Sequence, residues 1–407
     1  MSGSATRPFS AALIAVSLSS ALLLSGCGAN SMPGAQLQSL DQGTPSSSSL
    51  SIGSSPAAYV YVSSIPGSKV QINGYRAASD GKLTVVTGSP FLTGADYAAS
   101  MAANRQHLFF TNEVDIHSYS IESNGALRSV ATINAQGFNQ SNCGGPAALF
   151  LDRAGATLYD LDFYSDCANN AYQFFNAEAS TGHLNYLGVT ANSTPIFEVP
   201  LSFIGNNEYA YGASCYHWNQ EIFGFKRSSD GALTDLNITP SMPTSRTGQI
   251  YCPSLAATDA TNHVAVPMQA LNASTLQPVG SSQLASYTAT SSGSLNTAST
   301  YSNMPYVEVA TVMSISMSPS GKLLAVGGSA GLQVFHFNGA DPITAFTGLL
   351  TTDEVDQVAW DNQNHLYAIS QPAGKLFVFT ITPTNRNPAP GSPYAITNPR
   401  NIVVIPK

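Results

Sequence analysis

A short turn signature, Ser-x-Gly-x-Leu, recurs along this chain and restricts its fold more than any other feature. It reads Ser79-Asp80-Gly81-Lys82-Leu83, Ser123-Asn124-Gly125-Ala126-Leu127, Ser180-Thr181-Gly182-His183-Leu184, Ser229-Asp230-Gly231-Ala232-Leu233 and Ser291-Ser292-Gly293-Ser294-Leu295. Degenerate copies stand at Asn338-Gly339 and around Thr384-Asn385. Glycine after Asp or Asn supplies the positive φ angles that tight hairpins need, so each copy predicts a hairpin tip. Successive glycines lie 44, 57, 49, 62 and 46 residues apart, close to the repeat of four-stranded propeller blades. Seven copies predict seven blades.

The flanking residues agree. Before the tips run alternating segments such as Ile116-His117-Ser118-Tyr119-Ser120-Ile121, Leu332-Gln333-Val334-Phe335-His336-Phe337 and Leu376-Phe377-Val378-Phe379-Thr380-Ile381. Alternation at period two with aromatic and β-branched residues predicts half-buried strands. Earlier in each unit lies another hairpin, whose second strand begins at His107-Leu108-Phe109, Thr157-Leu158-Tyr159 or His365-Leu366-Tyr367. No sustained 3.6-residue period interrupts this pattern, so the expected fold is all-β. The first unit starts at Tyr59-Val60-Tyr61-Val62 and lacks an innermost strand, while Asn401-Ile402-Val403-Val404-Ile405 follows the last tip as a spare one. Donating the spare strand to the first blade removes two open edges.

The amino terminus sets the compartment. Arg7 precedes an apolar segment, Ala11 to Leu24, that is shorter than the roughly 20 residues of a membrane span but matches a signal-peptide core. It ends at Leu24-Ser25-Gly26-Cys27, which resembles the bacterial lipobox; that resemblance implies a leader over residues 1–26 and diacylation of Cys27. Gly28, rather than aspartate, favours outer-membrane sorting in a two-membrane cell, by the same analogy. Residues 28–57 hold nine Ser, four Gly and three Pro with Asp41 as the only charge, too little apolar area to offset chain entropy, so residues 27–57 read as a lipid-anchored tether. The expected localisation is the cell envelope, facing periplasm or exterior. Only 9% of the chain is charged and its net charge is −8; without a Lys/Arg cluster the electrostatic footprint for nucleic acid is missing.

The segments "YVYVSS", "DGKLTVVTGSPFLTG", "LFFTNEVDIHSYSIESNGAL" and "PAPGSPYAI" together resemble the lactonase-type seven-bladed propeller family, which includes 6-phosphogluconolactonases and fungal muconate-lactonising enzymes. The resemblance covers residues 58–407. It implies a central-face motif of the form Gly-Pro-Arg-His followed by a strand ending in Asn-Glu. This chain reads Gly145-Pro146-Ala147-Ala148 and ends the strand on Phe163. Opening a lactone needs a group to activate water and donors to steady an oxyanion, and Ala147, Ala148 and Phe163 supply neither. Aligning the inner strands puts Arg400-Asn401, Tyr97-Ala98, Ser254-Leu255 and Asp356-Gln357 at the same station, none of which restores an Arg-His pair. If the chain is an enzyme, the expected participants are Arg400, Glu113, His217 and Asp356.

Apart from Cys27, four cysteines remain, an even number that outside the cytoplasm reads as a disulfide framework with three connectivities. In a propeller, Cys143 and Cys252 fall in connections between blades, and Cys167 and Cys215 in loops between second and third strands. Both loop types emerge on one face, which favours Cys143 with Cys167 and Cys215 with Cys252. Zinc is the sharper alternative, but no Cys-x-x-Cys spacing supports it. His217 and Trp218 follow Cys215 closely and form the most site-like pair, able to stack on and hydrogen-bond a sugar or a partner side chain; Arg246 and Gln249 are expected to join them. Asp160, Asp162 and Asp166 form the densest acidic cluster, without the loop glycine of a calcium site, and read as solvated or hydrogen-bonded. His107, His183 and His365 sit inside hairpins, where turn or surface roles account for them. No metal and no cofactor is expected. The reading is therefore a lipid-anchored propeller that binds a protein, peptide or glycan, with a lactonase-like hydrolase using a rearranged centre as the alternative.

Overall fold

The computed structural model describes residues 55–112, 114–135, 145–163, 171–190, 199–216 and 219–407. The leader, Cys27 and most of the tether lie outside the described residues, as do Glu113, Cys143, Asp166, Cys167, His217 and Trp218. The described residues form seven small antiparallel sheets arranged as a seven-bladed β-propeller. Among them no helix is long and apolar enough to cross a membrane.

Each blade has four strands running from the channel outward. The second blade, Ser100–Ala103, His107–Thr111, Asp115–Ile121 and Leu127–Asn134, is the plainest example. The expected closure holds: Pro399–Pro406 pairs antiparallel with Ala58–Ser64, placing Ile405 opposite Tyr59 and Asn401 opposite Ser63. The ring is thus shut by a strand about 340 residues away in sequence, with no sheet edge left at the joint.

The core is divided. Seven hydrophobic clusters lie between adjacent blades rather than inside any one of them. Ala58, Val60 and Val62 pack toward blade seven, beside Tyr367 and Ile369, while Tyr59 and Tyr61 pack toward blade two, beside Leu108 and Phe110. Side chains alternate across a strand, so a strand sandwiched between two blades needs apolar groups at nearly every position. This corrects the expectation of half-buried strands for Gly331–His336 and Lys375–Ile381, whereas Asp115–Ile121 keeps it. In Gly331–His336, Leu332 and Val334 face blade seven and Phe335 faces blade five. Even Gln333 is buried, holding the Thr347 carbonyl with its Nε2 and receiving the Glu308 amide on its Oε1.

The repeated glycines prove to be joints as well as turns. All five full signatures and Gly339 have positive φ, as tight tips require. Each also presses against the first or second residue of the second strand of the preceding blade: Gly125 on Tyr59, Gly182 on His107, Gly231 on Thr157, Gly293 on Tyr209, Gly339 on His263 and, across the closure, Gly81 on His365. A Cβ at Gly231 would lie 2.8 Å from Thr157 Cγ2, inside van der Waals contact. Hydroxyls fasten several tips further, as Tyr61, Tyr159 and Tyr211 donate to the carbonyls of Gly125, Gly231 and Gly293 at 2.7, 2.6 and 2.9 Å. His107 and His365 are therefore buried joint residues, not the turn or surface groups their hairpins suggested; His183, on a tip, is exposed.

Candidate functional site

The innermost strands start at one mouth of the channel and end at the hairpins leading to the second strands. Four residues before the hairpin, equivalent positions hold Ser100, Ala148, Ser314 and Gln357 in blades two, three, six and seven, and Asn401 matches them in blade one by its pairing with Ser63. For the second blade this corrects the sequence alignment by two residues: Ala99-Ser100, not Tyr97-Ala98, occupies the station. Spacing misled because the blade-two hairpin is shorter, with Asn104 donating directly to the His107 carbonyl.

These side chains stitch neighbouring strands together. The Ser100 hydroxyl accepts the Leu149 amide at 3.0 Å, Ser314 accepts Val358 at 3.2 Å, and Gln357 Oε1 accepts Ile402 at 3.0 Å. Gln357 Nε2 donates to Asn401 Oδ1 at 3.0 Å, and Asn401 Nδ2 donates to the Ser63 hydroxyl at 3.2 Å. In blades four and five the same contact recurs further along the strand, with the Thr258 amide on the Ser202 hydroxyl at 3.1 Å. The belt is neutral, and each of its polar side chains makes at least one bond within the ring.

Two charged candidates flank it. The Asp356 carboxylate accepts the Gln371 amide at 2.7 Å, which ties it to the turn after the second strand of its own blade. Arg400 precedes Asn401 in Pro399–Pro406; its Nε is buried with no hydrogen-bond partner among the described residues. Ala147 and Ala148 lie in Gly145–Leu151 and Phe163 ends Thr157–Phe163. Asp160, on that same strand, is fully buried across from Gln173 rather than solvated. Among the described residues no group of three His, Cys, Asp or Glu side chains is placed to hold a metal ion.

The outer part of this face is built on blades four and five. Cys215 and Cys252 form a disulfide with their Cα atoms 5.2 Å apart. Neither cysteine is in a loop, as their sequence positions suggested: Cys215 lies in the second strand of blade four, Tyr209–Tyr216, and the connection from that blade becomes strand Gln249–Pro253, which carries Cys252 and pairs with the lengthened His263–Asn272. Gln249 opens that strand, across from Asn272. Arg246 is exposed and its guanidinium lies 5.0 Å from the Tyr301 ring centroid. Tyr306 stands out at 52% exposure nearby, its backbone bridged to Gln283. A buried amide supports this rim: Gln283 accepts the Tyr251 hydroxyl at 2.9 Å and donates to the carbonyls of Tyr301 and Met304 at 3.1 and 2.9 Å. Burial raises the Tyr251 phenol above its usual pKa, Tyr306 adds to the rise, and Arg246 opposes it, so Tyr251 stays a neutral donor. Arg246 was legible in the sequence. Tyr301 and Tyr306 were not singled out, although two tyrosines five apart in a polar connection are the signal that would have found them.

No protein-family profile and no curated protein matches the sequence. Solved structures do share the fold. The periplasmic gluconolactonase of Pseudomonas aeruginosa superposes with a TM-score of 0.60 at 14% identity, over 85% of this chain and 98% of that one. A Bacteroides fragilis protein assigned as a 6-phosphogluconolactonase gives 0.59 at 12%, over 89% and 99%. A protein from Lactobacillus plantarum gives 0.58 at 13%, over 86% and 99%. At these identities the similarity is one of architecture.

Proposed function

We propose that this protein is an extracytoplasmic binding propeller, anchored to a membrane by lipid on Cys27, with the outer membrane favoured, that takes a protein, peptide or glycan on the face carrying the Cys215–Cys252 bond. One observation carries the reading. At the channel mouth, where lactone chemistry would need a base and an oxyanion donor, the belt between the flanking Asp356 and Arg400 consists of neutral side chains, and those of Ser100, Ser314, Gln357 and Asn401 join blades. Hydroxyls and amides do not take a proton from water near neutral pH. The rim of blades four and five offers a different chemistry: Arg246 over Tyr301, the exposed Tyr306 and, by sequence, His217 and Trp218. Aromatic faces beside a guanidinium suit sugars and peptide side chains alike. Glycan-array binding and pull-down from envelope extract should both be tried with the intact chain. Binding that survives both Trp218→Ala and Arg246→Ala sinks the assignment to this rim.

A second reading, a lactonase-like hydrolase, draws on the shared architecture with the periplasmic gluconolactonase and on the unpaired Nε of Arg400. Arg400 would steady the oxyanion, with Glu113, His217 or Asp356 as the proton acceptor. Hydrolysis of gluconolactone above the spontaneous rate, lost in Arg400→Ala, would replace the binding assignment with this one.

A further inference from the structure

Three segments of blades four and five meet at the rim that carries Arg246: residues 239–253, 272–282 and 297–307. Backbone bonds join them, with the Tyr301 amide donating to the Thr244 carbonyl at 2.8 Å and the Ala273 amide to the Gly248 carbonyl at 2.9 Å. The turn holding Arg246 is closed by the Ser245 hydroxyl on the Gln249 carbonyl at 2.7 Å and the Gln249 amide on the Arg246 carbonyl at 3.0 Å. The turn holding Tyr301 is closed likewise, with the Thr300 amide on Asn303 Oδ1 at 2.7 Å and the Met304 amide on the Thr300 carbonyl at 3.1 Å. Two exposed rings, Tyr301 and Tyr306, and one exposed guanidinium therefore stand on backbone that is already ordered. That lowers the entropy cost of receiving a ligand.

The rim carries one charge. Arg246 is the only charged residue in the three segments, whose other polar side chains are mostly Ser, Thr, Asn and Gln. Among the described residues no carboxylate pairs with it. Its contact is the Tyr301 ring, 5.0 Å from guanidinium carbon to centroid, and a ring contact leaves N–H groups for a carboxylate. Arg246 and Tyr306 both act on the ionisation of Tyr251, so both stand near one point of the rim. The next acid along the chain, Glu308, belongs to backbone bonded to Gln333 of blade six at 3.0 Å. The chain's net charge of −8 comes from other segments, and in physiological salt a charge acts over about 8 Å, so Arg246 sets the local sign.

We infer that this rim recognises a carboxylated glycan, with sugar rings laid on Tyr301 and Tyr306 and a uronate carboxylate on Arg246. Flat aromatic faces suit the apolar faces of sugar rings, hydroxyl and amide side chains suit sugar hydroxyls, and the one cation selects an acidic sugar over a neutral one. The inference rests on the rim assignment above and narrows it to one class of ligand.

Calorimetric titration of the intact chain with tetramers of galacturonate, glucuronate and mannuronate, each beside its methyl ester, tests this. At least one acid is expected to bind saturably and its ester about fivefold more weakly, in the range of a solvent-exposed ion pair. Added salt should weaken the acid and leave the ester unchanged. Arg246→Ala should bring the acid to the level of its ester, and Tyr306→Ala should weaken both. Each of these side chains is exposed, and an unchanged circular dichroism spectrum checks that the variants fold. Equal binding of acid and ester, acid binding unaltered in Arg246→Ala, or polyglutamate binding as tightly as the best uronate overturns the inference. So does the absence of binding to every uronate. If envelope extract then yields a partner that Arg246→Ala loses, the rim assignment stands without the glycan; if it yields none, both fall.

Discussion

Two pentapeptides, Asp259-Ala260-Thr261-Asn262-His263 and Asp361-Asn362-Gln363-Asn364-His365, turn the same corner in blades five and seven, and the fold gives them different weight. Their local bonding is nearly identical. In each, one carboxylate oxygen accepts the histidine amide, at 3.0 and 2.9 Å, and the amide two residues after the aspartate, at 2.8 Å in both. The other oxygen meets the histidine Nδ1 at 2.8 and 2.7 Å. Yet the side chains of His263 and Asp259 are 21% and 8% exposed, against 1% and 0% for His365 and Asp361. Asp361 also receives the Tyr367 hydroxyl at 3.0 Å, whose pKa is raised by burial and then by the neighbouring carboxylate. The buried copy lies at the joint where the two ends of the propeller meet, under Gly81 of blade one. A five-residue pattern sets its own hydrogen bonds; the neighbouring blades decide how much breaking them costs.

The largest expected effect is at the buried copy. Asp361→Ala leaves His365 and Tyr367 without their shared acceptor and should destabilise the propeller by about 3–5 kcal/mol; Asp259→Ala, next to solvent, should cost about 1–2 kcal/mol. Denaturant unfolding of the two variants measures the difference directly, and equal losses would break the comparison. The glycine tips above the two histidines give a second contrast. A Cβ at Gly81 would lie 2.8 Å from Ala389 Cβ and 3.0 Å from His365, whereas at Gly339 it would meet only the His263 ring, at 3.1 Å. Both positions carry the positive-φ penalty of about 1–2 kcal/mol, so Gly81→Ala should exceed Gly339→Ala by about 1 kcal/mol in the same assay.

The smallest effect is a pH dependence. Burial raises the Asp259 carboxyl, but hydrogen bonds from Thr261 and His263 outweigh it and hold the group below the usual aspartate range. A carboxylate with a depressed folded pKa stabilises above its unfolded value, and that stability disappears as pH falls through the folded one. Asp259→Asn should therefore flatten the acid limb of the stability curve below roughly pH 4 and leave the neutral region's slope unchanged. An acid limb that keeps its wild-type slope would show that Asp259 does not titrate in this way.

Much of the fold was legible because a propeller writes its period into its turns. Ser-x-Gly-x-Leu marked five tips outright, and the missing inner strand before Tyr59 together with the surplus one at Asn401–Ile405 foretold the closure seen in the Ala58–Ser64 pairing. The site was less legible. Arg400 and Asp356 could be placed at the channel mouth by counting, but Ser100 could not, since one shortened hairpin moved the count by two residues. That the Asp356 carboxylate caps Gln371 depends on a turn fifteen residues away.

The amino-acid sequence alone determined the all-β class, the number of blades and the strand that closes them, because period-two patterning and positive-φ turns act within a few residues. Only the tertiary structure decided which of two like Asp-His turns is buried and which polar side chains bind blade to blade. Those outcomes arise at contacts between repeats, where the partner lies some fifty residues or a whole chain length away and leaves no local mark.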